Sequence, residues 1–92
     1  MVKIVQPVPG LHMALDPRIP DELEKFPFKI ETRSKIKKIE WLLDDKILAV
    51  TEQNSNKYLW SPRKGHHKLY AKVEFKNDKG KYKTHTVGFW VR

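Results

Sequence analysis

Apolar side chains at every second position constrain this chain more than any other feature. His67, Leu69, Ala71, Val73 and Phe75 alternate with Lys68, Tyr70, Lys72 and Glu74, and beyond residues 77–80 the alternation resumes at Val87, Phe89 and Val91. A period of two puts one set of side chains on one face of an extended strand, whereas an amphipathic helix needs a period near 3.6. Helical spacing is hard to find elsewhere, and short alternating runs recur. Ile39, Trp41 and Leu43 share a face, as do Phe26, Phe28 and Ile30, and Val2 with Ile4 opens a first strand.

The breaks between these runs carry turn chemistry. Pro7, Pro9 and Gly10 end the first strand, Met13 and Leu15 resume it, and Pro17 and Pro20 mark a loop. Pro27 lacks an N–H for a ladder and points to a sheet edge or a strand's start. Asp44-Asp45 spaces a two-residue hairpin with Ile47 to Val50 returning, which requires positive φ if the turn is type I′. Asn54-Ser55-Asn56 is a further break, followed by Tyr58-Leu59-Trp60 and the loop from Ser61 to Gly65. Residues 77–80 (Asn-Asp-Lys-Gly) turn the last hairpin. Tyr82 and Thr84 fall on the opposite parity from Val87, which predicts a β-bulge near His85 and Thr86.

About seven short strands with regular turns and a tryptophan on a central strand predict an all-β, immunoglobulin-like antiparallel sandwich, with a small barrel as the alternative. Trp41 belongs in its core, and Trp60 is expected half-buried at a strand end. His67 shares the inward parity, so it is expected partly buried and bonded to nearby backbone. Ninety-two residues suit one domain, residues 1–92, and one core. Without cysteine there is neither a disulfide nor a thiolate metal site. No apolar run approaches the length of a membrane helix, and residues 1–9 lack the charged and apolar regions of a signal peptide.

Nineteen Lys and Arg against eleven Asp and Glu give a formal charge of +8, a field that favours polyanions. Fifteen of those cations are Lys, which lacks the fork with which Arg reads phosphates and bases, so solubilising charge is the default reading and nucleic acid a secondary one.

The order of these pieces resembles the C-terminal domain of bifunctional penicillin-binding proteins of the 1C type. The resemblance is carried by Ile4-x-x-Pro7-x-x-Gly10, Leu15-Asp16 with Pro20, Phe28-Lys29-Ile30, the run from Ile39 to Asp44, and Trp60-Ser61-Pro62. The run from Gly65 to Leu69, Asp78-x-Gly80 and the run from Val87 to Val91 complete it. The family usually shows Asp-Gly where this chain has Asp44-Asp45, and Pro-Gly-x-His where it has Lys64-Gly65-His66-His67. The resemblance implies an immunoglobulin-like module excised from a larger envelope protein, periplasmic or otherwise outside the cytoplasmic membrane. It further implies a preceding transpeptidase domain and an accessory role without catalysis or cofactor. The ligand is not implied by the resemblance; peptidoglycan or an envelope protein is the expected partner. A generic extracellular spacer is the wider reading of the same core.

Ser34-x-x-Lys37 and Ser61-x-x-Lys64 match the serine motif of a transpeptidase as text, but neither lies in a helical pattern, and Lys83-Thr84-His85 lacks the glycine of Lys-Thr-Gly. No catalytic residue is assigned. Of the four histidines, His66 and His67 are adjacent and point to opposite faces of a strand, so no metal site is assigned either. The candidate binding surface is the outward face bearing Tyr70, Lys72, Lys83, His85 and Trp90, with Lys38, Lys68 and Lys81 extending it. Aromatic rings among cations suit sugars, bases or a protein partner, and ordinary cross-strand pairing on a solvated sheet accounts for the same pattern.

Overall fold

The alternating runs form strands in a computed structural model that describes residues 2–52, 55–76 and 80–92, apart from the side chain of Asp21. Among these residues nine strands are present: β1 (Lys3–Gln6), β2 (His12–Met13), β3 (Phe26–Glu31), β4 (Ile36–Leu43), β5 (Lys46–Glu52), β6 (Lys57–Trp60), β7 (Gly65–Phe75), β8 (Lys81–Lys83) and β9 (Val87–Val91). One 3-10 turn, Asp21–Leu23, is the sole helical element among them. β1, β3 and β6 make one sheet; β2, β9, β7, β4 and β5 make the other, with β8 alongside β7. Two faced sheets replace the barrel alternative. The expected seven strands are the longer ones, and β2 and β8 are the short additions.

Most pairings are antiparallel, and β2 with β9 is parallel, which the sequence did not predict. Backbone amides of Gly10, Trp90 and Arg92 donate to the carbonyls of Gly88, Leu11 and Met13 at 2.7–2.9 Å. The Pro7–Gly10 break therefore carries the chain from the smaller sheet to the larger one, and Gly10 makes the corner at φ 78°. Pro27 stands at the start of its strand, one of the two expected placements. β3 is the middle strand of its sheet, but β1 pairs only with Lys29–Glu31, so Pro27 meets β6 alone and its missing N–H faces no partner strand.

The β4–β5 hairpin closes through Asp44 and Asp45 at φ 53° and 66°, both positive as a type I′ turn requires. The register slips between Trp41 and Leu42, so Leu48 is an extra residue on β5. The predicted bulge before β9 is present. Lys72 opposes Lys83 and Leu69 opposes Val87, which sets three residues against two. Thr84 closes the gap: its amide donates to the Ala71 carbonyl at 2.8 Å, while its hydroxyl accepts from the Ala71 amide at 3.0 Å and donates to the His85 carbonyl. Of two predicted turns, Asn54 and residues 77–79 lie outside the described residues.

Both sheets send their inward rows into one core. Ile4, Phe28, Ile30 and Trp60 come from the smaller sheet, facing Ile39, Trp41, Leu69, Val73, Val87 and Phe89 among others. Phe28 stacks on Trp60 with centroids 5.1 Å apart, and Phe89 meets both rings edge-on. Trp60 is 3% exposed rather than half-buried, because the end of β6 lies over this aromatic layer. Trp41 is fully buried, and its indole N–H donates to the Thr51 hydroxyl at 3.1 Å, so no polar atom of the ring is stranded. Replacing Trp41 by Ala should cost about 3–5 kcal/mol of unfolding free energy. Urea denaturation followed by fluorescence or circular dichroism measures it, and a loss under about 1 kcal/mol would contradict the core assignment.

Candidate functional site

Parity along β7 divides its side chains cleanly. His67, Leu69, Ala71 and Val73 are buried, and His66, Lys68, Tyr70 and Lys72 lie on the outer face. On β9 the buried Val87, Phe89 and Val91 leave Gly88 and Trp90 outward. Cross-strand register then fixes the neighbours: His66 opposes Trp90, Lys68 opposes Gly88, and Lys72 opposes Lys83.

The five residues predicted for this surface therefore separate. Tyr70, Lys72 and Lys83 come together, with the Lys83 ammonium 4.4 Å from the centre of the Tyr70 ring, a cation–π geometry. Trp90 stands four residues further along β7, roughly 13 Å away at strand spacing. Its neighbours are histidines. His12 of β2 stacks on it at 5.9 Å and His66 of β7 packs at 4.3 Å, so the indole is flanked on both sides and about 45% exposed. His85 is exposed in the segment between β8 and β9.

Sequence reasoning missed His12 and His66 as companions of Trp90, because parity gives the face of a side chain and not its row. It also missed Gly88, whose lack of a side chain opens a depression of about 470 Å³ lined by His66, Lys68, Tyr70, Lys83 and Asp45, among others. A Cβ at Gly88 would lie 3.3 Å from His66 Nε2, which shows how closely that ring leans over the gap.

Charges on the neighbouring part of the face are largely matched. Lys81 Nζ lies 3.0 Å from Glu40 and 3.7 Å from Glu74. The hydrogen bond from Lys81 holds the Glu40 carboxyl below its ordinary range, with Lys38 and Lys72 adding to the effect. Among the described residues no group of three or more His, Cys, Asp or Glu is placed to hold a metal. Ser34 and Ser61 both lie in loops, and Ser61 Oγ accepts a hydrogen bond from Lys25.

His67 occupies the other side of β7, beneath a second depression of about 520 Å³ near Trp60. Its Nε2 bonds the Arg63 carbonyl at 2.8 Å, the expected backbone contact, and its Nδ1 lies 2.7 Å from Asp44 Oδ2. Both oxygens only accept, so the doubly protonated ring satisfies both and the neutral ring only one. Asp44 also accepts from the Lys68 amide at 2.9 Å, tying the hairpin turn to β7. Partial burial opposes ionisation of Asp44, but the hydrogen bonds from His67 and the Lys68 amide outweigh it and hold the carboxyl below its ordinary value. This geometry fixes the loop before β7 and the turn after β4; it is a clamp rather than a reactive dyad.

A depressed carboxyl stabilises the fold above its unfolded pKa, and that contribution disappears as pH falls through the folded pKa. Asn tolerates positive φ, so Asp44→Asn keeps the turn and removes the charge. The variant should lose about 1 kcal/mol at neutral pH, a low value for a charged hydrogen bond because Asp44 is half exposed. Its deficit against the parent should shrink below about pH 4. Melting curves across pH 2–7 measure both, and a deficit independent of pH would rule out the charged clamp.

Among solved structures, the fibronectin(III)-like modules of Clostridium thermocellum CbhA superpose with a TM-score of 0.75 at 14% identity, covering 99% of this chain and 94% of that one. At that identity the likeness establishes the fold alone, a sandwich of the immunoglobulin-like class. No curated protein matches the sequence. The profile of the Penicillin-Binding Protein C-terminus Family matches residues 1–87. A match over that span makes the chain a member of the Penicillin-Binding Protein C-terminus Family.

Proposed function

We propose that this domain is a non-catalytic accessory module of a peptidoglycan synthase, acting in the cell envelope outside the cytoplasmic membrane and contacting glycan through the outer face of its larger sheet. The family assignment supports the accessory role and a transpeptidase as its covalent neighbour. The observation that carries the contact surface is Trp90. Phe89 and Val91 on either side of it fill the core, whereas Trp90 keeps its indole in solvent, braced by two imidazoles. A rigid aromatic edge among N–H donors suits the mixed apolar and hydroxylated surface of a sugar.

Trp90→Ala should lower retention on purified, insoluble peptidoglycan about tenfold or more, as loss of a central aromatic contact does. Its unfolding free energy should change by no more than about 1 kcal/mol. Equal retention of parent and variant would reject the surface, and unfolding as severe as that of Trp41→Ala would reject the outward placement. The +8 charge motivates nucleic acid as the competing partner. A phosphate binder loses affinity steeply with salt. Titration of the domain with a labelled single-stranded oligonucleotide at low and moderate salt is expected to show no such salt-sensitive complex.

A further inference from the structure

Three features meet at Gly88. The residue opposite it is Lys68, the next outward row holds Tyr70 with Lys83 over its ring, and the row on the other side holds His66 braced by Trp90. The result is a depression floored by glycine backbone and lined by His66, Lys68, Tyr70, Lys83, Thr86 and Asp45. Lys72 has Glu40 directly across the sheet, and Lys81 is paired with Glu40 and Glu74. Lys68 and Lys83 belong to none of the ion pairs among the described residues. Lys83 also faces Lys72, and like charges directly opposite one another on a sheet destabilise it unless something neutralises them.

We infer that the depression over Gly88 is a carboxylate-binding subsite for an acidic sugar, with Lys68, Lys83 and His66 as its donors. The inference rests on the glycan-contact reading and adds the chemical group that is recognised. Charge favours a monoanion: the ammoniums of Lys68 and Lys83 less the carboxylate of Asp45 on the rim leave one net positive charge, counting histidine as neutral. A polyphosphate chain would meet Asp45 at the same rim and would find no Arg fork in the lining. A carboxylate on a pyranose ring can reach the ammoniums while the ring lies against Tyr70. Strand pairing fixes the backbone from which these donors project.

The test uses the 92-residue chain and three soluble tetrasaccharides: one alternating N-acetylglucosamine with N-acetylmuramic acid, the same chain with its lactyl carboxylates amidated, and an N-acetylglucosamine tetramer. Calorimetry or fluorescence titration should show the acidic chain binding about tenfold more tightly than either neutral one, the effect of a single charge-assisted hydrogen bond. Lys68→Gln with Lys83→Gln should abolish that preference. Gly88→Val, which fills the floor without changing charge, should weaken the acidic chain to the level of the neutral ones. Melting curves of each variant establish that it is folded, and the comparison of three sugars on the parent chain stands even if a variant is not. Equal binding of acidic and neutral chains would overturn the subsite and leave the glycan reading intact. Absence of binding to all three and to insoluble peptidoglycan would overturn both. Binding of an oligonucleotide as tight as that of the acidic sugar would overturn the carboxylate assignment.

Discussion

The aromatic layer between the sheets is the contact on which the rest of the domain depends. Phe28 and Trp60 from the smaller sheet and Trp41 and Phe89 from the larger one meet with ring centroids about 5–6 Å apart. No disulfide joins the sheets, so apolar burial is the main force that holds them together. Each of these rings sits on a strand of alternating burial, interrupted on β4 by the buried Leu42 that follows Trp41. The inward placement of Trp41 and Phe89 therefore determines which residues of β4 and β9 face water, and the candidate surface is the outer consequence of the inner packing.

β7 joins the two. Its inward row ends in His67, which packs against Trp60 and Phe89 and anchors the Arg63 loop and the Asp44 turn. Its outward row supplies His66, Lys68 and Tyr70 to the Gly88 depression. Asp44 connects these rows directly, since one carboxylate oxygen holds His67 and the other the backbone amide of Lys68. The clamp thus fixes the backbone from which one of the proposed sugar ligands projects.

Much of this was legible in the sequence, for a definite reason. A period of two in β3, β4, β7 and β9 reports the face of each side chain, so the sandwich, the burial of Trp41 and the outward placement of Tyr70 and Trp90 could be read directly. Type I′ spacing at Asp44-Asp45 and the parity change before Val87 located a turn and a bulge. What could not be read was anything set by registration between distant segments. The parallel pairing of β2 with β9 puts His12 beside Trp90, and the offset along β7 puts His66 rather than Tyr70 opposite it. Trp60 looked marginal because its strand is short, yet its burial is decided by the opposite sheet. Asp44 as the partner of His67 needed the spatial closeness of a turn and a strand 23 residues apart. Gly88 carried a faint signal, a glycine at an outward strand position, where a missing side chain creates space.

The exchange of the N-terminal segment between sheets has a mechanical consequence. β2 and β9 run parallel, so tension pulling the segment before β2 and the segment after β9 in opposite directions would slide the two strands along one another. The bonds linking Gly10, Leu11 and Met13 to Gly88, Trp90 and Arg92 would then share the load rather than open one at a time. Resistance to extension would be greatest along that axis, and the same linkage would keep His12 beside Trp90 under strain.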